Sequence, residues 1–148
     1  MQVQAEVAIN ANPETVWQVI TNIDNAPHTI SGIEKVEVLE RQDDAFVGLK
    51  WRETRIMFGK EATEVMWITD AQQNKSYSTR AESHGSIYKT HFELKENGSQ
   101  TILSMHFEGE AQTLTAKIMS AMMGVFLKGS MRKTLEKDLL DIKAAIEK

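Results

Sequence analysis

The chain has 148 residues, with 17 Lys plus Arg against 21 Asp plus Glu for a net charge of −4, and no cysteine. That length predicts a single domain over residues 1–148, able to bury about two-thirds of its unfolded surface without staples. The composition excludes disulfide frameworks, thiolate metal sites and cysteine nucleophiles, and the lack of a basic run argues against nucleic acid as a partner.

Met1–Glu6 has neither a basic start nor an apolar stretch, so no signal peptide and a cytoplasmic location are expected. Val3, Ala5, Val7 and Ile9 alternate with more polar neighbours and predict a half-buried strand. Asn12-Pro13-Glu14 then reads as an N-cap, a proline at the first helical position and an acid in the first turn. Val16, Trp17, Val19, Ile20 and Ile23 supply the apolar face of this short helix, and a second short helical piece falls in Asp24–Gly32.

From Ile33 to Glu110 the period is two, with strands predicted near 33–40, 45–54, 58–69, 75–83, 86–95 and 100–110. The breaks fall at Asp43-Asp44, Arg55–Gly59, Ala71–Asn74, His84-Gly85 and Asn97-Gly98. A two-residue turn at His84-Gly85 sets Ala81 opposite Tyr88, Thr79 opposite Thr90 and Tyr77 opposite Phe92. A two-residue type I′ turn at Asn97-Gly98 sets Leu94 opposite Thr101 and Phe92 opposite Leu103. Either turn leaves one face largely apolar, which describes an antiparallel meander with one buried side. The parity of strand 58–69 stays open: Ala62, Glu64, Met66 and Ile68 form one face, Val65 and Trp67 the other.

After Glu110 the spacing becomes helical to the end, through Leu114, Ile118, Met122, Val125, Leu135, Leu139, Ile142 and Ile146, with Thr113 as N-cap. The ten-residue apolar run Ile118–Leu127 lies between Lys117 and Lys128. It is too short to span a bilayer and reads as buried helix.

Strand, two short helices, six-stranded meander and long C-terminal helix is an order that resembles the START-like helix-grip superfamily. Within it, the chain is most similar to the polyketide cyclase/dehydrase (SRPBCC) family. Asn12–Trp17, Gly48–Arg55 and Gly129–Leu139 carry the likeness locally. The resemblance implies an α+β fold in which a curved antiparallel seven-stranded sheet wraps around the long helix, with a ligand cavity between them.

On that expectation the cavity is lined from the sheet by Leu49, Trp51, Met66, Tyr77, Thr79, Tyr88, Thr90, Phe92, Met105 and Phe107. From the helix it is lined by Met119, Met122, Met123 and Phe126. Flexible, polarizable methionines suit a surface that repacks around apolar guests. The same stripe also reads as plain core.

For catalysis the candidates are Glu53, His28 and Tyr88. Glu53 shares the inward parity of Leu49 and Trp51. Desolvation there would raise its pKa and suit acid–base work, while pairing with Arg52, Arg55 or Lys60 would make it structural. His28 follows the first helix at the expected entrance. Tyr77 and Tyr88 would either donate to a ligand carbonyl or satisfy a backbone group. His91 and His106, placed diagonally on the outer face, and His84 in a turn read as decoration, so no metal and no cofactor are expected.

The expected function is binding of a small hydrophobic or aromatic ligand (lipid, polyketide-like or isoprenoid-like) by a monomer or homodimer. A cyclase/dehydrase-type enzyme is the alternative. A module meeting a protein partner or a quinone-loaded membrane surface is the third possibility.

Overall fold

The computed structural model describes every residue except Phe58, and Val125 by its backbone alone; the expectations for Phe58, where the break 55–59 meets the strand 58–69, and for Val125 on a helix face lie outside the described residues. Strand β1 (Gln2–Ile9) leads into α1 (Pro13–Thr21), a 3-10 turn (Ile23–Asn25) and α2 (Ala26–Thr29). Six strands follow: β2 (Ile33–Gln42), β3 (Ala45–Met57), β4 (Lys60–Gln72), β5 (Ser76–Ser83), β6 (Ser86–Asn97) and β7 (Gln100–Ala111). Helix α3 (Leu114–Ile146) closes the chain. The strands form one antiparallel sheet in the order β1-β7-β6-β5-β4-β3-β2. Register shifts in β2–β3 and at Ile68/Asp70 in β4–β5 mark bulges, which bend the sheet.

Local chemistry accounts for the element ends. The Thr15 N–H donates to Asn12 Oδ1 at 2.9 Å, and the Ala116 N–H donates to Thr113 Oγ1 at 3.1 Å, so both expected caps form. At the β5–β6 turn His84 and Gly85 both take positive φ (+49° and +76°), as type I′ requires, and the three predicted pairings follow.

Several expectations need correction. Asn97 stays in the ladder opposite Gln100, and the turn is Gly98-Ser99. Gly98 takes φ +64° and Ser99 is not among the positive-φ residues, the glycine-first pattern of type II′ rather than I′. Register therefore moves by two: Leu94 faces Leu103, Phe92 faces Met105 and Thr90 faces Phe107. Because the shift is even, each side chain keeps its face. His91 and His106 become direct neighbours rather than diagonal ones. Strand β3 also runs on to Met57, well into the break expected at Arg55–Gly59.

Gly85 ties the meander to α3. Its carbonyl accepts from the N–H groups of Gln112 and Thr113 at 2.7 and 3.3 Å. A Cβ at Gly85 would lie 2.5 Å from Thr113 Oγ1, the capping oxygen itself. Gly85→Ala combines left-handed strain with that clash and is expected to cost about 1–3 kcal/mol in urea unfolding. Gly98→Ala meets nothing within 4 Å and isolates the strain alone. Equal losses in the two variants would show that the clash is relieved at no cost.

Helix α3 packs against β1, β7 and α1, and it does so with its C-terminal half. Leu135, Leu139 and Ile142 are buried in one core with Val3, Ile9, Val16, Ile20, Leu103 and Met105. The run 118–127, expected to be buried, is instead largely exposed, including Ile118, Met119, Met122, Met123 and Phe126.

Candidate functional site

Strand pairing settles which side chains share the inner face. Trp51 pairs with Met66, Met66 with Ala81, and Ala81 with Tyr88, so these four form one rung across β3 to β6. The next rung holds Ile68, Thr79, Thr90 and Phe107, and a third holds Ala71, Tyr77, Phe92 and Met105. Opposed residues lie on the same side of a sheet, so Ala62, Glu64 and Met66 face inward with Trp51, and Val65 and Trp67 face outward. Outside, Lys50 Nζ sits 5.8 Å from the Trp67 ring centre.

The third rung is closed. Trp17 from α1 and Phe46 from β3 meet Tyr77 edge-on, with ring centres 5.9 and 5.2 Å away, while Phe92 stacks on Tyr77 at 4.7 Å. The Tyr77 hydroxyl donates to the Ile20 carbonyl at 3.0 Å. Burial, reinforced by the Glu53 charge, pushes its pKa well above the usual phenol range. Leu49, Trp51, Tyr77 and Met105 are all members of the buried core, and Phe92 packs against it.

In the first two rungs Trp51, Ala81, Ile68 and Thr79 are buried, while Met66, Tyr88, Thr90 and Phe107 are only partly buried. Tyr88 is half-buried and stacks on Phe107 with centres 5.8 Å apart. Gly109 opposite supplies the room, because a Cβ there would approach the Tyr88 ring at 3.3 Å. Among the described residues the hydroxyls of Tyr88, Thr79 and Thr90 make no hydrogen bond. They are polar handles on an otherwise apolar surface that also carries Met66 and Phe107.

A buried ion network lies beside this surface. Glu53 and Asp138 are 8% and 3% exposed, on β3 and α3. Arg55 Nε donates to Glu53 Oε2 at 2.7 Å, and its two terminal nitrogens reach Asp138 Oδ1 and Oδ2 at 3.3 and 2.9 Å. The Trp51 indole N–H donates to Glu53 Oε1 at 3.3 Å. Burial would pull the Arg55 pKa down, but the two carboxylates overcome it and hold the guanidinium charged. Burial pushes the Asp138 carboxyl above its ordinary value; Arg55 offsets only part, since one cation serves two anions. Glu53 is thus inward and next to Trp51, yet both its oxygens are engaged.

Close packing admits the pair. A Cβ at Gly32 would lie 3.4 Å from Arg55 Nη1. The Ser31 N–H and hydroxyl both donate to Asp141 Oδ2, at 2.9 and 2.7 Å, clipping the segment after α2 onto α3. His28, at the end of α2, is exposed. On the outer face His91 Nδ1 bonds Ser78 Oγ at 2.7 Å. That face also carries an open groove of about 660 Å³ with charged walls, including Glu34, Lys35, Arg52 and Glu61, unsuited to an apolar guest.

The structure therefore joins Met66, Thr79, Tyr88, Thr90 and Phe107 on one face of the sheet, Thr79 buried and the other four partly buried, places Leu49, Trp51, Tyr77 and Met105 in the core, and leaves Met119, Met122, Met123 and Phe126 exposed on α3. The sequence reading missed Asp138. Its signal was an acid on the buried helix stripe, three residues after Leu135 and four before Ile142.

Solved structures share this architecture. A protein from Thermus thermophilus superposes with a TM-score of 0.84 at 16% identity, over 99% of this chain and 97% of that one. An aromatase/cyclase from Streptomyces, Zhui, gives 0.77 at 17%, over 99% and 93%. A START superfamily protein from Mycobacterium smegmatis gives 0.67 at 16%, over 92% and 97%. At these identities the likeness establishes the helix-grip fold. No curated protein matches the chain in sequence. The family described as polyketide cyclase / dehydrase and lipid transport matches residues 1–143, and the chain belongs to that family.

Proposed function

We propose that the protein binds a small hydrophobic or aromatic molecule carrying a polar group, held between the inner sheet face and α3. The observation that carries this reading is the set of unbonded hydroxyls on Tyr88, Thr79 and Thr90 within an apolar surface. Apolar burial supplies most of the affinity, and the hydroxyls orient the polar end. Membership of a family named for cyclisation, dehydration and lipid transport supports the same class of ligand.

The test is a native mass spectrum of freshly purified protein, with calorimetric titration of 2-naphthol as a defined aromatic probe. A discrete adduct or saturable naphthol binding is expected. Tyr88→Phe deletes one hydroxyl without breaking a bond in the folded chain, so stability should hold while naphthol affinity falls about 2- to 10-fold. Neither adduct nor naphthol binding, or unchanged affinity in Tyr88→Phe, would overturn this site.

A cyclase- or dehydrase-type reaction at the same inner sheet face is the second reading, favoured by the unbonded Tyr88 phenol. There Tyr88 would donate to a substrate carbonyl, and the engaged Glu53 would serve as structure.

A further inference from the structure

Helix α3 changes character along its length. Its C-terminal half buries Leu135, Leu139 and Ile142, whereas its N-terminal half exposes Leu114 by 76%, Ile118 by 52% and Met122 by 77%. At about 100° per residue, Ile118 and Met122 lie well off the Leu135 face, so they are not a frayed continuation of the core stripe. They form a second apolar stripe, widened by Met119 and Met123.

The charge around this stripe has one sign. Between Glu110 and Glu136 the chain carries Lys117, Lys128, Arg132 and Lys133 and no acid, although the whole chain is at −4. All four cations are exposed, and none joins an ion pair among the described residues. Lys117, Lys128 and Arg132 fall within about 60° of one another, along one flank of the apolar stripe.

We propose that the N-terminal half of α3 is a docking surface for an anionic lipid bilayer. Leu114, Ile118 and Met122 enter the boundary between headgroups and acyl chains, and the flanking cations meet lipid phosphates. The charge pattern selects this occupant over a second copy of the chain. An isologous dimer would set the stripe against itself and bring the same unpaired cations face to face. The surface starts at Thr113, bonded to the β5–β6 turn beside Tyr88. A lipophilic molecule could thus pass between the bilayer and the inner sheet face at Tyr88 with little exposure to water.

Flotation with phosphatidylcholine vesicles, with and without phosphatidylglycerol, tests this. Binding is expected to the anionic vesicles at low salt and to weaken roughly tenfold or more at high salt or without phosphatidylglycerol. The double variant Ile118→Glu/Met122→Glu should lose vesicle binding while keeping its unfolding midpoint. Leu39→Glu, an exposed apolar residue on β2, and Tyr88→Phe should both bind vesicles as the parent does. No binding of the parent to anionic vesicles at low salt overturns the proposal. So does binding undiminished in the double variant. A variant that changes only the sedimentation coefficient would assign the stripe to self-association instead, against the proposal.

Discussion

Replacing Arg55 by methionine is expected to destabilise the protein by about 3–5 kcal/mol, a fall in Tm on the order of 10 °C. The substitution keeps the volume but leaves Glu53 and Asp138 buried side by side without their shared cation. The size of the loss reflects uncompensated buried charge more than the worth of the ion pair itself. Accordingly Glu53→Gln/Arg55→Met/Asp138→Asn, which removes all three charges, should lose less than Arg55→Met alone.

Acid should partly rescue Arg55→Met. The folded pKa of Asp138 is raised above the ordinary 3.8, so the folded protein holds that proton more tightly than the unfolded chain. Stability linked to this group is complete below the unfolded value and is lost as pH rises through the folded one. Arg55 pulls the folded value down, so removing it extends the window upwards. The destabilisation should therefore be smaller at about pH 5 than at about pH 7, read by urea unfolding. An equal loss at both pH values would show that the carboxylates find other partners in the variant.

The second large effect contrasts two positions on one helix. Leu139 is 1% exposed within the core, and Leu139→Ala should cost about 2–5 kcal/mol through lost burial and the cavity left behind. Met122→Ala, nearly five turns earlier on the same helix, should stay within about 0.5 kcal/mol. Comparable losses at both sites would mean that the N-terminal half of α3 packs onto the sheet in solution. That outcome would also remove the exposed stripe on which bilayer docking depends.

Much of the fold was legible because the signals are local. Alternation through Ile33–Glu110 reports strands, since side chains repeat every second residue. Asn12 and Thr113 mark helix starts, since short polar side chains satisfy the first free N–H groups. His84-Gly85 marks a hairpin, since both residues reach positive φ there. Even the misplaced turn at Asn97-Gly98 kept every side chain on its proper face, because period-two faces survive an even shift.

The sequence by itself thus determined the elements, their order, the apolar face of the meander and Tyr88, Thr79 and Thr90 as its polar exceptions. Tertiary structure decided what covers that face. Arg55 and Asp138 are 83 positions apart, and no spacing rule joins them; a curved sheet closing on a helix does. The inward parity of Met66 came from its pairing with Trp51, because the residues of β4 are apolar on both sides. The Met-rich half of α3 looked like core because periodicity shows that a face is apolar, not what it lies against. Which faces meet depends on long-range pairing, and here the sheet covers Leu135 to Ile142 and leaves Leu114 to Met122 open.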